Sequence, residues 1–177
     1  RTLLIVLTAD RGLCGSFNSN VIKAAGQFIV TEARGHEIAL GLIGRKGRDF
    51  FRRANVALRA DFTELGDYPE YQEVLPIARV VIEDYLAGEF DQVFLVYPFF
   101  VNTMTQEPRV HQLLPVEPPE EVATRAVDYI YEPGRESLLA ELLPRYIETQ
   151  IYAAVLEGIA SEQSARMVAM RNATDAA

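Results

Sequence analysis

Leu3-Leu4-Ile5-Val6-Leu7 is an unbroken apolar run with branched side chains, the pattern of a strand buried on both faces. The segment that follows, "TADRGLCGSFNSNVIK" from Thr8 to Lys23, carries two glycines and then Asn18, Ser19 and Asn20. Their side-chain oxygens can accept the free amide hydrogens of a helix start. Val21–Ala33 therefore reads as a helix, with Gly35 placed to end it. Next come a strand over Glu37–Ile43, a short basic helix over Arg45–Ala54 and a third strand over Asn55–Arg59. Gly66–Pro69 reads as a turn. Tyr71–Leu86 is an amphipathic helix with Leu75, Ala78, Val81, Ile82 and Tyr85 at helical spacing, closed by Gly88. Pro76 falls in its first turns, where a missing amide hydrogen costs least.

"QVFLVYPFF" over Gln92–Phe100 is the strongest central-strand candidate, and it is expected to end or meet an edge at Pro98, which cannot donate to a ladder. Val110–Pro115 and Thr124–Tyr131 read as further strands around the "EPPEE" loop. The alternation predicts an α/β fold, a Rossmann-like and largely parallel sheet flanked by helices. From Ser137 onward the only breakers are Pro144 and Gly158. A helix over Arg145–Ala177 would be about 50 Å long at ~1.5 Å per residue. Ile147, Ile151, Ala154, Gly158, Ser161, Ala165 and Val168 recur along it every three or four residues. Small side chains at that spacing suggest coiled-coil packing against a helix outside this pattern. The expected division is a globular part over 1–136 and a C-terminal helix over 137–177.

The chain has 177 residues, enough to bury a core. Its net charge of −8 argues against a phosphate-backbone binder, so no nucleic-acid partner is expected. The charge is uneven. Gly44–Ala60 holds Arg45, Lys46, Arg48, Arg52, Arg53 and Arg59 against Asp49 alone, whereas Asp61–Glu73 has five acids and no base. Solvated surface and polar contact with partners both fit that asymmetry. Cys14 is the only cysteine, which excludes an internal disulfide and a thiolate zinc cluster. His36 and His111 lack the spacing of metal ligands. No apolar run reaches the ~20 residues of a membrane span. No signal peptide is visible, and the missing initiator Met points to a start upstream of Arg1.

Strand, glycine turn and helix is also the layout of a phosphate cradle, yet the residues do not fit one. Gly12 and Gly15 flank bulky Leu13, which is not G-x-G-x-x-G, and "GRKGRD" at Gly44–Asp49 is not a P-loop. Cys14 near a helix start could be an activated thiol, or simply a packed one. Glu120-Glu121 sits in a proline-rich loop and reads as solvent-facing. No nucleophile, base and orienter assemble from the sequence. An enzyme using a nucleotide or a thiol on a Rossmann-like sheet is the alternative reading.

Two stretches, "TADRGLCGSFNSNVIK" near the start and "ASEQSARMVAMRNATDAA" at the end, closely resemble signature segments of the gamma subunit of the rotary F-type ATP synthase. "FVNTMTQEPRVHQLLP", "YIYEP" and "RYIETQIYAAVLEGIASEQ" match that family in order and spacing. The resemblance implies a non-catalytic central rotor without cofactor or bound small molecule. Its α/β foot would sit on the membrane ring of c subunits and bind the epsilon subunit. Its shaft, an antiparallel coiled coil of N- and C-terminal helices, would turn inside the ring of alpha and beta subunits. Proton flow would drive that rotation and so ATP synthesis at sites on other subunits. The N-terminal helix would lie upstream of Arg1, and the terminal helix would run on past Ala177. Such a fragment is expected not to transmit torque by itself.

Residue by residue, the resemblance implies that Arg11 lies near acidic loops of the catalytic subunits, with Asp10 beside it presented to partner subunits; the alternative is a surface arginine that holds the turn through Asp10. Tyr129, Tyr131 and Glu132 would lie near the polar loops of the membrane ring. Glu162, Arg166, Met167 and Met170 would belong to the lower shaft. The paired cysteines of the chloroplast branch are absent, so thiol control is not expected. The lack of a targeting segment favours a bacterial complex on the cytoplasmic face of the plasma membrane.

Overall fold

The computed structural model describes residues 1–32, 34–54, 56–116 and 135–177, and only the backbone of 135–139. Five strands form one sheet in the order β3-β2-β1-β4-β5: β1 (Thr2–Leu7), β2 (Ile38–Ile43), β3 (Leu58–Phe62), β4 (Gln92–Asn102) and β5 (Thr105–Leu114). The first four are parallel, and β5 turns back antiparallel to β4. The helices are α1 (Phe17–Thr31), α2 (Arg45–Arg53), α3 (Tyr71–Leu86) and α4 (Arg135–Asp175).

The apolar run of β1 is continuous because both faces of the strand are covered. Leu3, Ile5 and Leu7 join Val74, Ile77 and Val81 of α3 and Ile147 and Ile151 of α4 in one cluster. Leu4 and Val6 join Val21 and Phe28 of α1 and Phe51 of α2 in the other. Period-two alternation sends neighbours to opposite faces, so a two-sided strand needs apolar residues throughout. At the sheet edge, Asp84 of α3 is buried and receives both Arg59 Nε and Arg59 Nη2 at 2.7 Å, which fastens β3 to α3.

Some expectations shift. α1 begins at Phe17 rather than Val21, because Phe17 is buried against Ala9 and Cys14. Asn18 does not cap the helix. Its Oδ1 accepts the Ala9 amide at 2.8 Å and its Nδ2 donates to Cys14 Sγ at 3.2 Å. β3 lies three residues beyond the expected Asn55 start, since an edge strand with exposed Leu58 and Arg59 carries little hydrophobic signal. β4 continues through Pro98 to Asn102. It meets an edge there as expected: β1 pairs no further than Val96, and Pro98 faces Pro108 of β5. β5 starts at Thr105, well before Val110, because the hairpin tip is polar and exposed. The strand expected over 124–131 falls outside the described residues.

The C-terminal stripe has a different partner from the one its spacing suggested. Ile147, Ile151, Ala154, Gly158 and Ser161 are buried on the chain's own sheet and α3, not left open for another helix. A stripe of that width satisfies a sheet as well as a coiled coil, and the sheet is covalently at hand.

Candidate functional site at the strand ends

In open α/β sheets, ligands bind beyond the carboxyl ends of the strands, where the strand order reverses. Here that point lies between β1 and β4. Thr8 and Asp10, just past β1, organise it. Thr8 N donates to Ile43 O at 2.8 Å, its hydroxyl donates to the same carbonyl at 3.1 Å, and the hydroxyl accepts the Gly47 amide at 2.9 Å. Gly44 permits this approach: its φ is +92°, and a Cβ there would lie 2.0 Å from Thr8 O.

Asp10 completes the closure. Its Oδ1 accepts the Arg45 amide and its Oδ2 the Glu64 amide, both at 2.9 Å. Arg45 opens α2, and Gly44 before it has no side chain to cap it. The position where a helix N-terminus would hold a phosphate is therefore occupied by the chain's own carboxylate. Asp10→Ala should cost roughly 1–2 kcal/mol by freeing two amides, and Asp10→Asn, which can still accept one of them, roughly half as much. Urea denaturation of the two variants checks this order.

The crevice between β1 and β4 is filled from the other side by α4. A Cβ on Gly158 would stand 2.4 Å from Leu7 Cδ2, so the helix backbone rests directly on the strand end. Ser161, fully buried, donates to Pro98 O at 3.4 Å. Ala165 packs on Ala9, Cys14 and Phe17. The Cys14 thiol is 2% exposed. Burial pushes its pKa up and the Glu162 carboxylate adds to that, against an opposing pull from Arg166. Buried against Ala9, Phe17 and Ala165, Cys14 is a packed thiol.

The structure brings Asp10, Arg11 and Glu162 together. They line a depression of about 350 Å³ with Arg45, Glu64 and Asp67. Arg11 is exposed and reaches Asp67 Oδ2 at 3.7 Å, not Asp10. Glu162 forms a half-buried pair with Arg166 one turn along α4. Met167 and Met170 stand in solvent farther along that helix. Tyr129, Tyr131 and Glu132 lie outside the described residues. Sequence reasoning missed Thr8, Gly44 and Glu64. Their signal was present in the two glycines of "IGRKG" directly after a strand, but it announces a close backbone approach, not a phosphate. Among the described residues no group of metal-ligating side chains converges, and no helix is long and apolar enough to cross a membrane.

The profile of the ATP synthase family matches residues 1–177. The chain is 53% identical over 173 residues to the ATP synthase gamma chain of Roseiflexus castenholzii, covering 97% of this chain and 60% of that one. The gamma chain of Chloroflexus aurantiacus is 51% identical with the same coverage. The chain thus spans about three fifths of the length of the curated relatives it matches. Among solved structures, the central stalk/c-ring of the Tetrahymena thermophila mitochondrial ATP synthase superposes with a TM-score of 0.77 at 26% identity, covering 98% of this chain and 76% of that one. The rotor of the Euglena gracilis mitochondrial enzyme shares the fold, with a TM-score of 0.69 at 18% identity over 97% of this chain and 66% of that one. A chain whose crevice is closed by its own aspartate and its own helix, matched over its whole length by this profile and over 97% of it by these relatives, belongs to the gamma chain family of ATP synthases.

Proposed function

We propose that the chain is the foot and lower shaft of a central-stalk rotor. In this reading 1–136 form the foot and 137–177 the shaft. The rotor couples proton-driven rotation of a membrane c ring to ATP synthesis or hydrolysis at sites carried by the alpha and beta subunits. The epsilon subunit binds the foot, and the complex sits on the cytoplasmic face of a bacterial plasma membrane. The chain itself holds no active site and no small-molecule ligand.

The observation that carries this reading is α4 lying across the strand ends. A helix fills the crevice that an α/β enzyme would leave open, and the chain's relatives are named as gamma chains. Asp10 and Arg11, beside Glu162 and Arg166, would then present the polar contact to the catalytic subunits. Tyr129, Tyr131 and Glu132 would face the membrane ring, and Met167 and Met170 would continue the shaft. The antiparallel partner helix would use the outer face of α4. There Leu142, Tyr146, Leu156 and Met167 are exposed, on the side of the helix opposite Ile147 and Ile151.

The test is affinity purification of the tagged full-length chain from its own cells. Recovery with alpha, beta, epsilon and c subunits supports the rotor, and recovery alone overturns it. Titration with ATP addresses the enzyme alternative. A ligand at 100 times its dissociation constant adds about 2.7 kcal/mol of stability. The expected thermal shift up to millimolar ATP is nil, and a rise in melting temperature would revive the nucleotide-dependent reading.

A further inference from the structure

Past the end of β1, side chains of α4 take over one edge of β4. Alternate residues of a strand turn their backbone groups to the same edge. At the start of β4, Gln92 donates its amide to Arg1 O, on the β1 side. Counting in twos from Gln92 carries that edge through Val96, the last residue that β1 pairs, to Pro98 and Phe100. Among the described residues no strand pairs with this edge beyond Val96. The Pro98 carbonyl and the Phe100 amide therefore need other partners. Ser161 donates to Pro98 O at 3.4 Å, and Glu157 Oε1 accepts the Phe100 amide at 3.2 Å.

The helix supplies one donor and one acceptor where a strand would have supplied the same, and the spacing fits. Residues four apart on a helix share a face and lie ~6 Å apart along its axis. Alternate residues of a strand are about 6.7 Å apart. Pro98 has no amide hydrogen, so its carbonyl is all that must be met there. Apolar contact alone would not choose this register. Hydrophobic attraction has no direction, and Ala154, Gly158 and Ala165 give the inner face of α4 only shallow ridges. The polar pair does discriminate. A slide of one turn in one direction sets Ala153 against the Phe100 amide and the Glu157 carboxylate against the Pro98 carbonyl. A slide in the other direction puts Ala165 where the donor must be. Ser161 is fully buried and Glu157 half-buried, so neither loss is made good cheaply by water.

We infer that Glu157 and Ser161 are a register key: standing in for the strand end that β1 lacks, they fix the axial position and the rotation of α4 on the sheet. They are positioning residues and touch no ligand. The inference goes beyond the rotor reading and stands or falls without it, because it concerns one helix on its own sheet. In the proposed rotor, twist carried by α4 would enter β4 through this joint and pass into the β4–β5 ladder.

Double electron–electron resonance on the full-length chain tests the key, with spin-labelled cysteines at Arg79 of α3 and Ala173 of α4, both exposed. The otherwise unaltered chain should give one narrow distance. The double variant Glu157→Ala, Ser161→Ala should add a population displaced by about 5.4 Å, one helical turn. Glu157→Gln, with Ser161 intact, still offers the amide an acceptor and should keep the distance narrow. Val21→Ala, buried on the opposite face of the sheet, is the comparison: it lowers stability without touching the key and should also leave the distance narrow. A single unshifted distance in the double variant, or the same displaced population in Val21→Ala, would overturn the key. Hydrogen exchange in the unsubstituted chain gives a second reading. The Phe100 amide should exchange at least ~100-fold more slowly than a free amide, and exchange at the free rate would overturn the key as well.

Discussion

Gly44→Ala should remove roughly 3–5 kcal/mol of stability, enough to leave the domain largely unfolded, given that whole domains are held by only ~5–15 kcal/mol. Two costs combine. The backbone at φ +92°, ψ +144° is in a region that residues with a Cβ essentially do not occupy. The new methyl would also lie 2.0 Å from the Thr8 carbonyl oxygen and 2.6 Å from its carbon. Those atoms are backbone and cannot rotate away, so the end of β1 must part from the turn into α2. The hydrogen bonds of Thr8 and Asp10 then fail together. Gly35→Ala is the control. It has a similar φ of +86° with no atom within 4 Å of the new methyl, so it should cost only about 1 kcal/mol. Denaturant unfolding of the two variants should separate them by at least ~2 kcal/mol, and equal values would show that the contact with Thr8 does not govern this turn.

Ile151→Ala is expected to cost about 2–5 kcal/mol, while Leu156→Ala, barely more than one turn along the same helix, should cost less than ~1 kcal/mol in this chain. Ile151 is fully buried among α3, β4 and the odd-numbered residues of β1, and its loss opens a cavity that a close-packed core cannot collapse around. Leu156 is 41% exposed on the other face. The order would reverse if the buried stripe belonged to a partner helix and the outer face to the sheet. In the full-length protein the proposed partner helix covers Leu156, and the cost of Leu156→Ala should rise there toward that of Ile151→Ala. Paired melts of the 177-residue chain and the full-length chain measure that rise.

The central strands and α3 were legible because burial on one or both faces writes itself into side-chain periodicity. "LLIVL" has the pattern of a strand covered on both faces, and Tyr71–Leu86 was readable to the residue, with Gly88 beyond its end. Edges were not legible. β3 and the outer half of β5 face water, so their side chains report solvent instead of the ladder. The C-terminal stripe was read correctly as a packing face, and its portion from Ile147 to Ser161 meets the sheet; residues spaced by three and four cannot say whether they meet a helix or a sheet. The strand-end site escaped for a related reason. Asp10 holds amides 35 and 54 residues away in sequence, Thr8 reaches across to Gly47, and no local spacing encodes those meetings.

Asp10 has a consequence for how the domain responds to its surroundings. Any dissolved anion seeking the first amide of α2 competes with a carboxylate that is covalently tethered beside it, present at an effective concentration set by geometry and not by the cell. Swings in phosphate or nucleotide levels would find nothing to displace. In the proposed rotor, this closure would hold whether such anions are plentiful or scarce. The crevice is closed by a side chain of the chain's own, so its geometry does not depend on an added ligand.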